Sequence, residues 1–283
     1  MKVDHVLILA AGKGTRMGEI GKKLPKVIWP IFEKSILELE VLMAKELAPS
    51  ANIYINLFNY KEIIRNFIQD HSTISSNATI IEEDRVLDIG GAIHNLALKL
   101  NYQGNLLILN SDQFLLSPKD FVKEGLKKLA YHDAVLFSYE VNSSDGYNAL
   151  ALEGTKLKSI TLNKDLCFNT KIKTYTGMSL IKLEALDKVT GESAFFESVA
   201  NPEKKSIETF EIKEFEYWDF GTTKRYHDSI FLLVKQQGAL FYKFLAKNKA
   251  LDLKKITASQ IVCDELIVTE DSISYKGIKN SLG

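Results

Sequence analysis

Cysteine is almost missing from this chain: Cys167 and Cys263 are the only two in 283 residues. That excludes a disulfide-stapled scaffold, and the absence of C-x-x-C or Cys/His spacing gives no sign of zinc. Free thiols in a reducing cytosol account for both residues. An excess of one charge is missing too, since 36 basic residues balance 36 acidic ones. A general affinity for nucleic acid or an anionic membrane is therefore not expected, and any anionic ligand must be held by local clusters. Long hydrophobic runs are also lacking: the N-terminal apolar run stops after about six residues, too short for a signal-peptide core or a membrane span. The five histidines form no metal-like spacing, and no serine or cysteine stands in a nucleophile motif. No internal repeat or low-complexity linker is present. These absences lead to a cytoplasmic globular protein, long enough for one sizeable core or a main domain with an appendage.

What the first half does contain is alternation. Val6–Leu9, Ile53–Leu57, Thr79–Ile81, Leu106–Leu109 and Ala134–Tyr139 read as strands, with Ile36–Leu47, Tyr60–Asp70, Ala92–Leu100 and Lys119–Leu129 as helices between them. Such a pattern predicts a mostly parallel sheet covered by helices, with ligands at the carboxyl ends of the strands. From about Gly146 the elements shorten, with strands expected at Ala149–Leu152, Lys158–Leu162 and Met178–Ile181. A long apolar-faced helix is expected from about Tyr226 to Asn248, packing on the main domain. After it, Gln260 to Ile278 reads as two short strands around Thr269-Glu270-Asp271. Two short strands are unlikely to be stable alone, so pairing with the main sheet or with a second subunit in a homodimer is expected.

The most informative segment is Leu9-Ala10-Ala11-Gly12-Lys13-Gly14-Thr15-Arg16-Met17, followed by Pro25-Lys26. Small residues directly after a buried strand let backbone N–H groups approach phosphate oxygens, and Lys13, Arg16 and Lys26 add positive charge. The dinucleotide fingerprint fails because Met17 stands where its third glycine is needed. The G-x-x-x-x-G-K-[ST] loop fails because Lys23 follows Gly21-Lys22. What remains, G-x-G-T-R and then Pro-Lys, resembles the sugar-1-phosphate nucleotidyltransferases, also called nucleotide-sugar pyrophosphorylases.

The resemblance covers roughly residues 3 to 230 and extends to further segments in family order. Asn110-Ser111-Asp112 ends the fourth predicted strand, where the family often shows Gly-Asp; on its own, Asp112 reads equally well as a turn residue or helix cap. Asp219-Phe220-Gly221-Thr222 resembles the second metal segment, an Asp before x-Gly-Thr, although an N-cap reading of Asp219 stands beside it. Asp88-Ile89-Gly90-Gly91-Ala92 resembles the base-contacting segment of the muramate-, mannose- and heptose-phosphate branch, which supplies cell-envelope precursors; helix entry is the plainer reading. On the sugar side, Lys164 lies thirteen residues before Gly177, a family spacing, but Asn163 replaces the usual Glu. Tyr147-Asn148 falls near the expected sugar hydroxyls.

The resemblance implies a Rossmann-like three-layer α/β nucleotidyltransferase fold. The nucleotide-binding part would span about 1–115, the sugar-binding part 116–230, and a helical and β extension 231–283. It implies transfer of a nucleotidyl group from a nucleoside triphosphate to a sugar 1-phosphate, with UTP and GTP equally suited. Leu9 to Thr15, Gly90, Gly91 and Asn110 would bind the nucleotide, and Asn148, Lys164 and Gly177 the sugar phosphate. Arg16 would hold pyrophosphate and Lys26 the α-phosphate or sugar phosphate. Asp112 and Asp219 would hold Mg²⁺. Two rival readings are a silent nucleotide-sugar-binding regulator and cytidylyl transfer to a non-sugar phosphate. Keeping Arg16, Lys26, Asp112 and Asp219 together argues against the first, and Gly177 with Asp219-x-Gly-Thr against the second.

Overall fold

The computed structural model describes residues 1–167, 169–257 and 260–282. The chain begins with β1 (His5–Leu9), α1 (Gly18–Gly21), β2 (Pro30–Ile31), β3 (Lys34–Ser35), α2 (Ile36–Leu47) and β4 (Asn52–Leu57). Next come α3 (Lys61–Asp70), α4 (Ser72–Ser75), β5 (Ala78–Glu82), α5 (Asp88–Lys99), β6 (Asn105–Asn110), β7 (Gln113–Leu116), α6 (Phe121–Leu129) and β8 (Ala134–Asn142). They are followed by β9 (Ala149–Glu153), β10 (Lys156–Thr161), β11 (Lys171–Lys182), α7 (Phe195–Ser198), β12 (Ile207–Glu211) and β13 (Glu216–Asp219). Helices α8 (Thr223–Lys235) and α9 (Leu240–Lys247) lead to β14 (Ile261–Cys263), β15 (Leu266–Thr269), β16 (Ser272–Tyr275) and β17 (Ile278–Ser281).

Nine strands form one sheet in the order β5-β4-β1-β6-β11-β8-β12-β10-β9. β1 pairs in parallel with β4 and β6, β4 with β5, and β12 with β8. β11 runs antiparallel between β6 and β8, and β10 antiparallel to β12 and β9. The continuous apolar run of β1 suits its central place: Val6 and Ile8 enter one core while Leu7 enters the other. Helices α2, α3 and α6 cover the first face through Leu37, Val41, Ile64, Ile68 and Phe121, and α5 and α7 cover the second through Ile93, Leu96 and Phe195. This is the expected three-layer α/β arrangement.

Helix α2 starts on a capping box, Ser35 Oγ accepting from the Glu38 N–H while the Glu38 carboxylate accepts from the Ser35 N–H. Leu37, Val41 and Ala44 face the main core, whereas Ile36, Leu39 and Met43 face a third core. That third core joins Met17, Ile20, Trp29, Phe114, Phe220, Tyr226 and Phe241 to the apolar side of the C-terminal strands.

Two expectations for the C-terminal part change here. The helix from Tyr226 to Asn248 is two helices, because α8 ends at Lys235 and Glu216 caps α9, its carboxylate accepting from the Leu240 and Phe241 N–H groups at 2.6 and 3.0 Å. The expected two short strands are four, paired as successive antiparallel neighbours β14-β15-β16-β17. This separate sheet does not join the main one. It is covered by α8, α9 and the N-terminal segment through Ile261, Cys263, Leu266, Val268 and Ile273. Both cysteines are free; Cys167 is exposed, and burial pushes the Cys263 thiol up to about 12. Among the described residues no helix is long and apolar enough to cross a membrane.

Candidate active site

The carboxyl ends of β1, β4 and β6 open into a cleft of about 380 Å³. Parallel pairing sets Leu9 beside Asn56 on one flank and Asn110 on the other, so three loops start at one level. Leu9, Ala11, Gly12, Lys13, Arg16, Lys26, Asn110 and Asp112 all line the cleft.

The glycine loop is held by asparagines on the neighbouring strand and its loop. Ala10 N–H donates to Asn56 Oδ1 at 2.8 Å, and Asn59 Nδ2 donates to the Ala11 carbonyl at 2.8 Å. Gly14 takes φ +62° and its carbonyl accepts from Met17 N–H, which starts the 3₁₀ turn Thr15–Met17 and aims Arg16 at the cleft. Ala10, Gly14 and Thr15 are outside the lining, and they shape the loop that carries the others.

Lys26 Nζ donates to Asp112 Oδ2, and both side chains are nearly buried. Asp219 stands opposite, at the end of β13, which pairs with β7 in the register Asp219↔Gln113. The two carboxylates converge: a Cβ on Gly221 would stand 2.9 Å from Asp112 Oδ2, 2.9 Å from Asp219 Oδ1 and 3.7 Å from Arg16 Nη2. Asp219 is not the helix cap, because Thr222 Oγ1 accepts the Arg225 N–H at the start of α8. Asp219 Oδ1 accepts from Gly221 N–H at 2.7 Å, and Arg225 Nη1 donates to Asp219 Oδ2. The donor set is oxygen only. Among the described residues no group of three or more His, Cys, Asp or Glu forms a metal cage. Two carboxylates fit Mg²⁺, which takes few protein ligands and leaves room for substrate phosphates.

Gly90 and Gly91 turn away from the cleft. A Cβ on Gly90 would meet the Ala194 carbonyl at 2.6 Å and one on Gly91 the Gly191 carbonyl at 2.2 Å. Gly91 N–H donates to the Ser193 carbonyl at 3.1 Å. Close packing of α5 on segment 191–198 is what these glycines serve here. Their neighbours Leu87, Asp88, Ile89 and Ala92 line the cleft instead.

On the far side, Gly177 (φ +85°) interrupts the β11 register and backs the cleft, since a Cβ there would fall 2.1 Å from Asn110 Nδ2. Asn110 Nδ2 in turn donates to Gln113 Oε1 at 2.7 Å. Asn148 Oδ1 accepts from Asn163 N–H at 2.9 Å, which ties the strand start to the turn carrying Lys164; Lys164 itself is exposed. None of Asn148, Lys164 and Gly177 lines the cleft. Between them and Asp219 stands a tyrosine wall, with Tyr139 5.1 Å from Tyr217 and 6.4 Å from Tyr147 between ring centroids. Burial, then neighbouring tyrosines, raises Tyr139 and Tyr217, so both stay neutral phenols.

Three site groups were not picked out in the sequence. Arg225 lies 5.7 Å over the Tyr147 ring; burial opposes its charge, but Asp219 and the tyrosines outweigh that and raise it. Glu83 is buried in the cleft wall, where Oε1 accepts from Asn56 Nδ2 at 2.7 Å; burial raises it and that bond partly offsets the rise. Glu40 on α2 is buried with Oε1 unpartnered, and burial first and Asp112 second raise it far above the usual carboxyl range. A polar residue inside an apolar run was the available signal for Glu40. Arg225 carried none, because its meaning comes from a helix folding back on β13.

Residues 5–161 match the sequence pattern of the nucleotidyl transferase family, more than half of the chain. The chain belongs to that family. Similar proteins include the bifunctional protein GlmU of Buchnera aphidicola, 29% identical over 57% of this chain and 34% of that protein. GlmU of Acaryochloris marina is 35% identical over 40% of this chain and 23% of its own length. The chain thus spans about a third of the first of these relatives and less of the second. Among solved structures, HddC from Yersinia pseudotuberculosis complexed with GMP-PN superposes with a TM-score of 0.64 at 21% identity, covering 81% of this chain and 99% of that one. UDP-glucose pyrophosphorylase complexed with UDP-glucose gives 0.64 at 17% identity, covering 83% and 99%. These likenesses establish the shared nucleotidyl transferase fold.

Proposed function

We propose that this protein transfers a nucleotidyl group from a nucleoside triphosphate to a sugar 1-phosphate and releases pyrophosphate. The observation that carries the reading is the meeting of Asp112, Asp219 and Arg16 around Gly221, with Lys26 on Asp112, at the mouth of a cleft in a nucleotidyl transferase fold. A silent nucleotide-sugar binder would need the cleft but not these four charges.

A sugar-phosphate oxygen attacks the α-phosphorus while the bond to the bridging oxygen of pyrophosphate breaks, and the electron pair leaves with pyrophosphate. No proton has to move, so positioning and charge neutralisation are the protein's task. The loop Ala11–Lys13 lies along the triphosphate, Arg16 holds the leaving pyrophosphate, and Lys26 meets charge at the α-phosphate. Mg²⁺ held by Asp112 and Asp219 would neutralise and orient both sets of phosphates. Arg225, beside Asp219 and over Tyr147, faces the side from which the sugar phosphate arrives.

For the base we favour guanosine. Glu83 offers carboxylate oxygens in the cleft wall, Oε2 making no hydrogen bond among the described residues. Acceptors of that kind suit guanine, which presents an N–H and an amino group side by side, better than uracil with a single N–H. The sugar is proposed to be of the muramate, mannose or heptose type.

A pyrophosphate-release screen across four triphosphates and a panel of sugar 1-phosphates tests the reading. GTP is expected to give kcat/KM at least about tenfold above UTP, and Glu83→Gln to narrow that ratio. No pyrophosphate with any pair would overturn the activity, and a preference for UTP would overturn the base assignment.

A further inference from the structure

The reaction proposed above makes no use of the sheet β14–β17, yet its last strand reaches the turn that carries Arg16. Asn280 on β17 donates from Nδ2 to the Met17 carbonyl at 2.9 Å and accepts at Oδ1 from the Ile20 N–H at 3.5 Å. Gly18 lies flat against that amide with φ +62°, and a Cβ there would stand 2.9 Å from Asn280 Nδ2. The glycine is needed for its backbone angle and for the room it leaves. The adjacent carbonyl, that of Arg16 itself, accepts from Thr223 Oγ1 at 3.4 Å. Met17 is fully buried in the same core as Ile261, Val268 and Ile273. The backbone from Arg16 to Ile20 is therefore gripped from outside the cleft by distant parts of the chain, while the Arg16 side chain lines the inside.

We infer that Asn280 is a positioning residue for Arg16, and that the C-terminal sheet serves as a tether for the phosphate-facing turn. The inference rests on the proposed reaction, in which Arg16 meets the leaving pyrophosphate. A turn of three residues on a glycine hinge has wide freedom unless its carbonyls are held. Removing the Asn280 amide leaves the Met17 carbonyl without its side-chain donor, so Arg16 reaches the phosphate in fewer of its conformations.

The test uses the full chain with Asn280→Ala, the isosteric Asn280→Asp, and Lys279→Ala as a control whose side chain, among the described residues, makes only an exposed 3.8 Å ion pair with Asp271. Asn280→Ala is expected to lower kcat about tenfold while the KM for the sugar phosphate stays within about twofold. Amide hydrogen exchange should quicken at residues 15–20 and stay slow at 261–275. Asn280→Asp, which keeps the acceptor and loses the donor, should fall on the same side, and Lys279→Ala should change neither readout. Unchanged kcat and unchanged exchange at 15–20 in both Asn280 variants would overturn the tether. So would faster exchange throughout β14–β17, which marks a residue that merely stabilises its own sheet. Absence of any transfer by the unaltered protein would instead overturn the reaction, with the exchange data still deciding the tether.

Discussion

Where β1, β4 and β6 end, the cleft is built on backbone: the glycine loop is bonded to Asn56 and Asn59, and its strands are buried on both faces. Across the cleft, around β11 and β13, the surface is made of long side chains, with Tyr139, Tyr147, Tyr217 and Arg225 leaning on one another. The contrast suggests a division of labour. In the proposed reaction the triphosphate would meet the fixed backbone side and the sugar phosphate the side-chain wall, which can change without disturbing the sheet. Asp112 and Asp219 are the seam, one from each side.

If the two sides must meet at that seam, breaking it should cost most. Asp112→Asn and Asp219→Asn are each expected to cut turnover at least about a hundredfold, because each removes charge from the point where both reactants are organised. Turnover of both variants within about threefold of the unaltered protein would dissolve the seam.

Arg225→Ala should separate the two sides more gently. It is expected to raise the KM for the sugar phosphate about tenfold and leave that for the triphosphate within about twofold, since only one reactant loses a charge-assisted contact. The reverse pattern in steady-state kinetics would move Arg225 to the glycine-loop side.

The smallest effect concerns stability. Glu40 lies behind the glycine-loop side with its Oε1 unpartnered, and its pKa is raised above the ordinary 4.5. The folded protein therefore holds this proton more tightly than the unfolded chain does. Stability from this group is complete below the unfolded pKa and declines as pH climbs toward the folded value. Glu40→Gln removes that decline, and at pH 8 its unfolding midpoint is expected to lie about 3 °C or more above that of the unaltered protein. Calorimetry at pH 5 and pH 8 checks the sign; a variant less stable at pH 8 would mean that the carboxylate is paired and useful.

Much of this was readable along the chain. Strand β1, helix α2 and the turn from Gly12 to Arg16 are local: an apolar run, a 3.6-residue stripe behind a Ser-x-x-Glu cap, and glycines after a strand each carry their own physical signature. The resemblance to a known family, with its segments in family order, brought Arg16, Lys26, Asp112 and Asp219 forward together. The rest depended on distance. Gly90 and Gly91 looked ligand-facing because a glycine leaves room without saying for what, and the folded chain fills that room with segment 191–198. The break between α8 and α9 is made by Glu216, which no helical stripe contains.

The sequence alone determined the alternation that builds the sheet, the loop that follows β1, and the charges set at strand ends, because each is written in neighbouring residues. Only the tertiary structure decided that Arg225 sits on Asp219, that Glu83 enters the cleft wall, that Glu40 is buried beside Asp112, and that Asn280 holds the Arg16 turn. Those are contacts between segments whose separate patterns are ordinary. Their meaning arises when packing against a shared core brings them within hydrogen-bond or Coulomb range.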